Sequence, residues 1–298
     1  MKTKPQVLSS RLCILRSINF KIIWSRSLLI GSTFILSFTS ANAQNADFYI
    51  KRGINKANTG DIESAIIDYN KAIEINPNSA DAYYNRAYDK AKAGNLEGAI
   101  TDYSKSIEIA PKDADAYFHR GNAKKALKQY KSAIIDYNNA ITINPKYRDA
   151  YYNRGNTKLH LKQFLQSIED YSKVIRINPN YTDAYYNRGF AKSELADYSS
   201  AINDYDMVIK LNGKYADAYY NRGHIKYSSL DYEGAISDYT KTLKLNPNHK
   251  HAYINRGIAK DRLLDHKGAC LDWEQGYRLG AQRAKKWLND ECNAKVDQ

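Results

Sequence analysis

Asparagine recurs at multiples of 34 residues along this chain of 298 residues, and a tyrosine usually precedes it. The asparagines are Asn85, Asn153, Asn187, Asn221 and Asn255, and the tyrosines are Tyr84, Tyr152, Tyr186 and Tyr220. A side-chain amide offers two N–H donors and a carbonyl acceptor. A row of amides on one surface can pair with the backbone of an extended peptide, and the tyrosine rings can add flat apolar contact. The alternative is a repeated helix surface without a binding role.

Charged residues keep the same spacing, with one arginine, one lysine and one aspartate in each of seven copies. In the fourth copy they are Arg154, Lys158 and Asp170. Arg154 and Lys158 lie four residues apart and therefore share one face of a helix. Because burying an unpaired charge is costly, we predict an ion ladder in which the two cations meet the aspartate of the next helix. The alternative is that all three side chains reach solvent along their apolar stems.

The residue types that usually carry catalysis form no recognisable motif in this sequence. The chain has six histidines, which are His119, His160, His224, His249, His251 and His266. Only His249 and His251 are close together, and such a pair alone is a weak sign of a metal site. The phosphate-binding and nucleophile motifs G-x-x-x-x-G-K-[ST], G-x-G-x-x-G and G-x-S-x-G are missing. We therefore predict a protein that is not an enzyme and that needs no cofactor or metal.

Pairs of helices must position the repeated residues. The stretch Asp149–Gly155 returns as Asp183–Gly189 and Asp217–Gly223. In this fourth copy we expect one helix from near Asp149 to about Leu161 and a second from about Phe164 to Ile177. Asn178-Pro179 should stop the second helix, because proline lacks an N–H donor and disfavours helix in the residue before it. A fixed period of this length is typical of a solenoid.

The pattern resembles the tetratricopeptide repeat (TPR), with an aromatic residue at repeat position 4, small residues at 8 and 20, an aromatic at 24 and a proline at 32. The resemblance covers Ala46 to about Gly280. It implies an all-α, right-handed TPR superhelix, an α-solenoid of seven helix-turn-helix repeats with a C-terminal capping helix. The expected repeats span 46–79, 80–113, 114–147, 148–181, 182–215, 216–249 and 250–280, and residues 281–298 form the capping helix, about Ala281 to Cys292, and tail.

Aspartate at repeat position 2 admits two roles. An aspartate at the start of a helix can cap it and interact favourably with the helix dipole. The resemblance instead places positions 2, 5 and 6 on the concave surface of the superhelix, which puts the asparagine and tyrosine rows in a groove. The aspartates are Asp47, Asp81, Asp115, Asp149, Asp183 and Asp217.

Residues 1–43 differ from the rest of the chain. They carry six basic residues and no acidic one, then the mostly apolar run Leu28–Phe38, and then Ala41-Asn42-Ala43. This order is typical of a secretory signal peptide cleaved after Ala43. We therefore expect an exported protein, periplasmic or secreted. The alternatives are an uncleaved N-terminal membrane anchor and a transit peptide leading to an organellar lumen.

Net charge and cysteine usage fit export. The formal charge is +13, of which +7 remains once residues 1–43 are removed, a moderate value that does not indicate a nucleic-acid partner. Cys270 and Cys292 remain beyond the leader. They could form a disulfide that ties the capping helix to the last repeat, or they could stay unpaired with Cys270 as a small core residue.

The sequence thus predicts a non-enzymatic scaffold that binds a protein or an extended peptide in the concave groove. No membrane contact is expected after leader cleavage. The alternative is a structural component of envelope assembly that self-associates through its convex face or the ends of the array.

Overall fold

The computed structural model describes residues 45–293, and every regular element in this range is helical. We number the helices along the chain. They are α1 (45–58), α2 (Ile62–Ile75), α3 (Ala80–Lys92), α4 (Leu96–Ile109), α5 (Ala114–Ala126), α6 (Tyr130–Ile143), α7 (Arg148–His160), α8 (Phe164–Ile177), α9 (Thr182–Glu194), α10 (Tyr198–Leu211), α11 (Ala216–Ser228), α12 (Tyr232–Leu245), α13 (Lys250–Arg262), α14 (His266–Arg278) and α15 (Ala284–Trp287), followed by a π-helical segment, Leu288–Asn293.

The predicted signal peptide, residues 1–43, and the end of the tail, residues 294–298, lie outside the described range. Between residues 45 and 293 no helix combines the length and the apolar character that crossing a bilayer requires.

The described part of the chain divides into two compact units, residues 45–111 and 112–293. The first unit holds α1 to α4, and α3 packs on both α2 and α4. The second unit holds α5 to α15, in which each helix packs on the next one along the chain. Odd-numbered helices of the second unit also touch the next odd-numbered helix, for example α7 against α9. Stacked helix pairs of this kind bury their apolar faces only against their neighbours.

Local sequence explains where the second helix of each pair begins and ends. Asp61, Asp197, Asp231 and Asp265 are N-caps whose carboxylates accept a backbone N–H from the first turn. Five of these helices, α2, α6, α8, α10 and α12, end at an asparagine whose side-chain oxygen accepts the N–H two residues on, as Asn178 does from Asn180 at 3.0 Å. This turn is favoured by asparagine, and the proline that follows Asn178 prevents further helix. The expected stop at Asn178-Pro179 is therefore where α8 ends.

A ring from the second helix fills the core of every pair. These residues are Tyr69, Tyr103, Tyr137, Tyr171, Tyr205, Tyr239 and Trp273, each at most 2% exposed. The first helix approaches closely because a small residue faces the ring. A Cβ on Gly155 would lie 2.9 Å from Cε1 of Tyr171, which is closer than carbon atoms normally approach. The ring at position 24 and the small residue at position 8 therefore fix the spacing of the two helices.

The capping element differs from the prediction. A continuous α-helix from about Ala281 to Cys292 was expected, but α15 spans only Ala284–Trp287 and the chain continues as π-helix. Both Trp287 and Cys292 reach α14, where Trp287 stacks on Trp273 with ring centroids 5.6 Å apart. In an α-helix, residues five apart differ by roughly 140° in direction. The wider i→i+5 winding of a π-helix brings them toward one face.

Candidate functional site

The predicted ion ladder is present as a set of contacts between the two helices of each pair. In the fourth repeat, Nε of Arg154 donates to Oδ2 of Asp170 at 3.0 Å, and Nη2 donates to Oδ1. Nζ of Lys158 lies 2.8 Å from the same Oδ2. The carboxylate is 3% exposed and the two cations are 16% and 13% exposed. A bidentate arginine and a lysine therefore balance a buried charge.

The same three residue types meet in every repeat of residues 45–293. The trios are Arg52, Lys56 and Asp68; Arg86, Lys90 and Asp102; Arg120, Lys124 and Asp136; Arg154, Lys158 and Asp170; Arg188, Lys192 and Asp204; Arg222, Lys226 and Asp238; and Arg256, Lys260 and Asp272. The guanidinium of Arg52 holds the pKa of Asp68 at about 2, helped by Lys56, against burial, which raises the pKa.

The arginines also join neighbouring repeats. Nη1 of Arg154 donates to Oδ1 of Asn138 at 2.6 Å, in the second helix of the preceding repeat. Nη1 of Arg188 reaches Ser172 in the same way at 3.0 Å. The arginine, lysine and aspartate side chains therefore bind each other and hold neighbouring helices together. The ladder is a structural feature of the repeat.

The asparagine and tyrosine rows meet each other in the second unit. Nδ2 of Asn187 donates to the hydroxyl of Tyr152 at 3.2 Å, in the preceding repeat. The same link joins Asn221 to Tyr186 at 3.0 Å and Asn255 to Tyr220 at 3.1 Å. Each amide is half-buried on the face of its odd-numbered helix. The two predicted rows are thus a hydrogen-bonded ladder that runs from repeat to repeat.

Two further asparagines, which the sequence analysis did not select, belong to this ladder. Asn122 accepts a hydrogen bond from Asn153 at 2.9 Å and another from the hydroxyl of Tyr137 at 2.8 Å. Asn156 does the same for Asn187 and Tyr171, at 3.1 and 2.8 Å. Position 9 carries asparagine only in these two repeats, so the 34-residue recurrence that revealed the other rows gave no signal here.

The tyrosine rings of the row pack against other rings. Tyr152 lies 6.1 Å from the buried Tyr171 and 5.1 Å from Tyr181, measured between centroids. Tyr186 lies between Tyr205 and Tyr215 in the same arrangement. These rings are therefore part of the packing between helices, and burial raises the pKa of both phenols.

The asparagine in the first unit behaves differently. Nδ2 of Asn85 donates to the carbonyl oxygen of Asp81 at 2.8 Å, one turn earlier in its own helix. Its neighbour Tyr84 packs edge-on against Tyr103 with centroids 5.7 Å apart. Asn85 is thus held by its own helix, whereas the amides of the second unit are held by the preceding repeat.

The aspartates at position 2 are not helix caps, and that interpretation is wrong. In α3 and α5 the helix already begins one residue before the aspartate. The N-cap is therefore two residues before the aspartate, at Ser79 in α3 and Asp113 in α5. The aspartates lie in the first turn, where their charge still favours the helix dipole. Oδ1 of Asp183 accepts from the hydroxyl of Tyr215 at 3.5 Å. The aspartate therefore joins the start of its repeat to the end of the same repeat.

Cys270 and Cys292 are joined by a disulfide in the structure, with their Cα atoms 5.8 Å apart. The bond connects α14 to the π-helical segment. Between residues 45 and 293, no three histidine, cysteine or acidic side chains are grouped so that they could hold a metal ion. His249 is an N-cap, with Nδ1 accepting the N–H of Ala252 at 3.0 Å, and burial lowers its pKa.

Repeated helix pairs with a ring at position 24 packed on a small residue at position 8 define a TPR-type α-solenoid. Family comparison agrees: profiles described as TPR repeat and tetratricopeptide repeat match residues 57–90, 88–128, 121–163, 149–181, 182–215 and 216–249. The chain belongs to the tetratricopeptide-repeat family.

Similarity to individual proteins is local in sequence and extensive in structure. An uncharacterized protein of Methanocaldococcus jannaschii is 47% identical over 36 residues, which is 12% of this chain and 42% of that protein's length. The chain therefore matches less than half of the length of this relative.

Among solved structures, YrrB, described as a TPR protein with an unusual peptide-binding site, is 26% identical, with a TM-score of 0.58 over 62% of this chain and 95% of YrrB. MamA is 25% identical, with a TM-score of 0.53 over 55% of this chain and 96% of MamA. The C-terminal part of a TPR repeat-containing protein from Cytophaga hutchinsonii is 20% identical. Its TM-score is 0.68 over 83% of this chain and 99% of that chain. At that identity the last comparison shows the fold alone.

Proposed function

We propose that this protein is a non-enzymatic scaffold that binds an extended peptide, or an extended segment of a partner protein, on the face of the second unit that carries Asn153, Asn187, Asn221 and Asn255. Solenoids of this family offer extended surfaces for protein partners. The observation that carries the proposal is that each amide Nδ2 is hydrogen-bonded to a side chain of the preceding repeat. Each one is held by the preceding repeat, so its position is set before any ligand arrives.

The amide carbonyls are the groups that would meet a peptide. Within the described part of the chain, no hydrogen bond reaches Oδ1 of Asn187, Asn221 or Asn255, although Nδ2 of each is engaged. A fixed acceptor that recurs with each repeat can accept backbone N–H groups from an extended chain without reading its side chains. Because the amides are already ordered, binding loses little side-chain entropy.

The likeness to YrrB supports this proposal. That protein is described as having a peptide-binding site, and its fold covers 62% of this chain. The two proteins share an architecture, whereas the proposed contact residues belong to this chain.

Display of a random peptide library against the full chain would test the proposal. Peptides that bind are then compared on a variant carrying Asn187→Ala and Asn221→Ala. The matched control carries Tyr152→Phe and Tyr186→Phe, which removes the two bonds to tyrosine hydroxyls, leaves the bond from Asn187 to Asn156, and keeps both amide carbonyls. We expect about a tenfold or greater loss of affinity in the asparagine variant and a loss below about threefold in the control.

An equal loss in both variants would mean that the amides only hold repeats together. If no peptide is enriched, the self-associating structural role becomes the better explanation, and a molar mass that rises with protein concentration would support it.

We also propose that the protein is exported. The leader lies outside the described residues, so support comes from the disulfide between Cys270 and Cys292, since disulfides persist mainly in oxidising compartments. Sequencing the N-terminus of the protein recovered from its producing cells is the test. A start at Gln44 is expected, whereas an intact leader would indicate a membrane anchor, and a start elsewhere in a lumenal fraction would indicate an organellar transit peptide.

A further inference from the structure

A cavity of about 430 Å³ opens at the carboxyl end of the second unit. Its walls come from α11, α12, α13 and the segment between Gly280 and Trp287. Ile254, Ile258 and Trp287 supply apolar surface, and Asn255 also lines it. Since Asn255 is the last member of the amide row, the cavity is continuous with the surface proposed to bind peptide.

The cavity has an unsatisfied polar group in its wall. Tyr239 is fully buried, and its hydroxyl has no hydrogen-bond partner. The amide of Asn255 lies near enough to oppose the rise in the pKa of Tyr239 that burial causes, but it does not meet hydrogen-bond geometry. Since this hydroxyl has no accessible surface, it is not available to a ligand in the cavity.

Comparison with earlier repeats shows why this hydroxyl is unpaired. The equivalent tyrosines of the third and fourth repeats, Tyr137 and Tyr171, donate to Asn122 and Asn156 at position 9. In the sixth repeat position 9 is His224, which lines the cavity. The hydroxyl of Tyr205, in the fifth repeat, also lacks a partner, and there position 9 is Phe190.

The charge around the cavity has one sign. Lys250 and Arg283 line it, and its lining includes no aspartate or glutamate. Neither Lys250 nor Arg283 forms an ion pair with any residue in the described range. Two uncompensated cations beside an apolar cavity favour a ligand with an apolar body and negative charge next to it.

The wall formed by the capping element is held firmly. Trp287 stacks on the buried Trp273 with an angle of 23° between the rings. The disulfide between Cys270 and Cys292 fixes the segment that follows. The cavity is therefore a built feature of the fold, bounded on one side by packed rings and a covalent bond.

We propose that this cavity is an anchor subsite that takes an aromatic side chain from an acidic stretch of the bound peptide. The inference rests on the proposed peptide-binding function and names the partner more closely. The volume is within the range of sites that bury small ligands. The ring of the ligand packs against Ile254, Ile258 and Trp287, and carboxylates flanking that ring pair with Lys250 and Arg283.

Three pentapeptides, blocked at both ends so that no terminal charge takes part, would serve as probes: Glu-Asp-Tyr-Asp-Glu, Glu-Asp-Ala-Asp-Glu and Lys-Arg-Tyr-Arg-Lys. Binding to the full chain is measured by titration calorimetry. We expect the acidic tyrosine peptide to bind at least about tenfold more tightly than either of the others. Equal binding of all three, or no binding of the first up to about 1 mM, would overturn the proposal.

Variants with matched controls locate the site. Arg283→Glu and Lys250→Glu should each weaken the acidic tyrosine peptide by about tenfold or more. The control is Lys286→Glu, an exposed residue of the same segment that is not on the cavity wall. This control should change binding by less than about twofold. If Arg283→Glu and Lys250→Glu leave binding unchanged, the cavity is not the anchor site.

The two proposals fail separately. Peptides enriched from the random library that lose affinity with Asn187→Ala but not with Arg283→Glu would leave the groove function standing and exclude the anchor subsite. The opposite pattern would identify the cavity as the binding site and exclude the amide row.

Discussion

Asn221 and Tyr186 join two neighbouring repeats, because the amide Nδ2 of Asn221 donates to the hydroxyl of Tyr186 at 3.0 Å. The residues predicted to form two rows of ligand contacts therefore contact each other in the folded chain. One group serves two purposes: its N–H donor stabilises the interface between repeats, and its carbonyl faces no protein partner in the described part of the chain.

The coupling between these two residues can be measured. Asn221→Ala and Tyr186→Phe should each lower the free energy of unfolding by about 1 kcal/mol, the usual contribution of one hydrogen bond. The double variant should lose little more than either single variant, since both changes remove the same bond. Urea unfolding followed by circular dichroism gives the four values. Additive losses would show that the two side chains stabilise the fold independently.

Breaking the ion ladder should cost more than breaking an exposed ion pair. Arg154→Leu leaves the buried carboxylate of Asp170 with only Lys158, and we expect a loss of about 2–3 kcal/mol in the free energy of unfolding. The control is Arg148→Leu, because Arg148 pairs with Asp149 where the side chains are 39% and 45% exposed. That change should cost less than about 1 kcal/mol. A rise in melting temperature for Arg154→Leu would contradict the structural role of the ladder.

The ladder also predicts a dependence of stability on pH. Arg52 and Lys56 hold the pKa of Asp68 at about 2 in the folded chain, against 3.8 for the unfolded carboxyl. Between these values the unfolded state binds more protons, so the contribution of Asp68 to stability is present above the unfolded pKa and is lost as the pH falls toward 2. Urea midpoints of the parent protein and Asp68→Asn should converge as the pH is lowered from 6 to about 2.5. A difference that stays constant would show that Asp68 acts by packing alone.

The helices and their stops could be predicted from the sequence because local chemistry specifies them. Asn178-Pro179 ends α8 because the asparagine side chain forms a turn with the backbone two residues on. Gly155 recurs where the first helix comes close to the ring of Tyr171 and leaves no room for a Cβ. The pairing of Arg154 with Asp170 could also be foreseen, because two adjacent helices must compensate their buried charges. In each case the information lies within one repeat.

Contacts between repeats could not be predicted in the same way. The bond from Asn187 to Tyr152 joins residues 35 apart, and its existence depends on how one helix pair stacks on the next. The roles of Asn122 and Asn156 also follow from that stacking. The cavity at the carboxyl end was missed because it depends on the capping element, whose π-helical winding breaks the repeat. A repeating pattern reveals the environment of a position but does not identify the residue of the next repeat that contacts it.

The capping element should depend on its disulfide. Opening a loop closed over a sequence separation of 22 residues is expected to cost about 3 kcal/mol of stability in a chain-entropy account. Cys292→Ser should therefore release the π-helical segment, unstack Trp287 from Trp273 and lower the protection of α14 and α15 against hydrogen exchange. The repeats before α11 should keep their protection, because stability in a solenoid is largely local.

Reductant supplies the control for this prediction. Dithiothreitol should reproduce the effect in the parent protein and should change nothing further in Cys292→Ser, when exchange is followed by mass spectrometry. Since Trp287 forms one wall of the cavity, reduction should also weaken the acidic tyrosine peptide without affecting peptides that depend only on the amide row. Unchanged protection of α14 in the reduced protein would mean that the stacked tryptophans hold the capping element without the covalent bond.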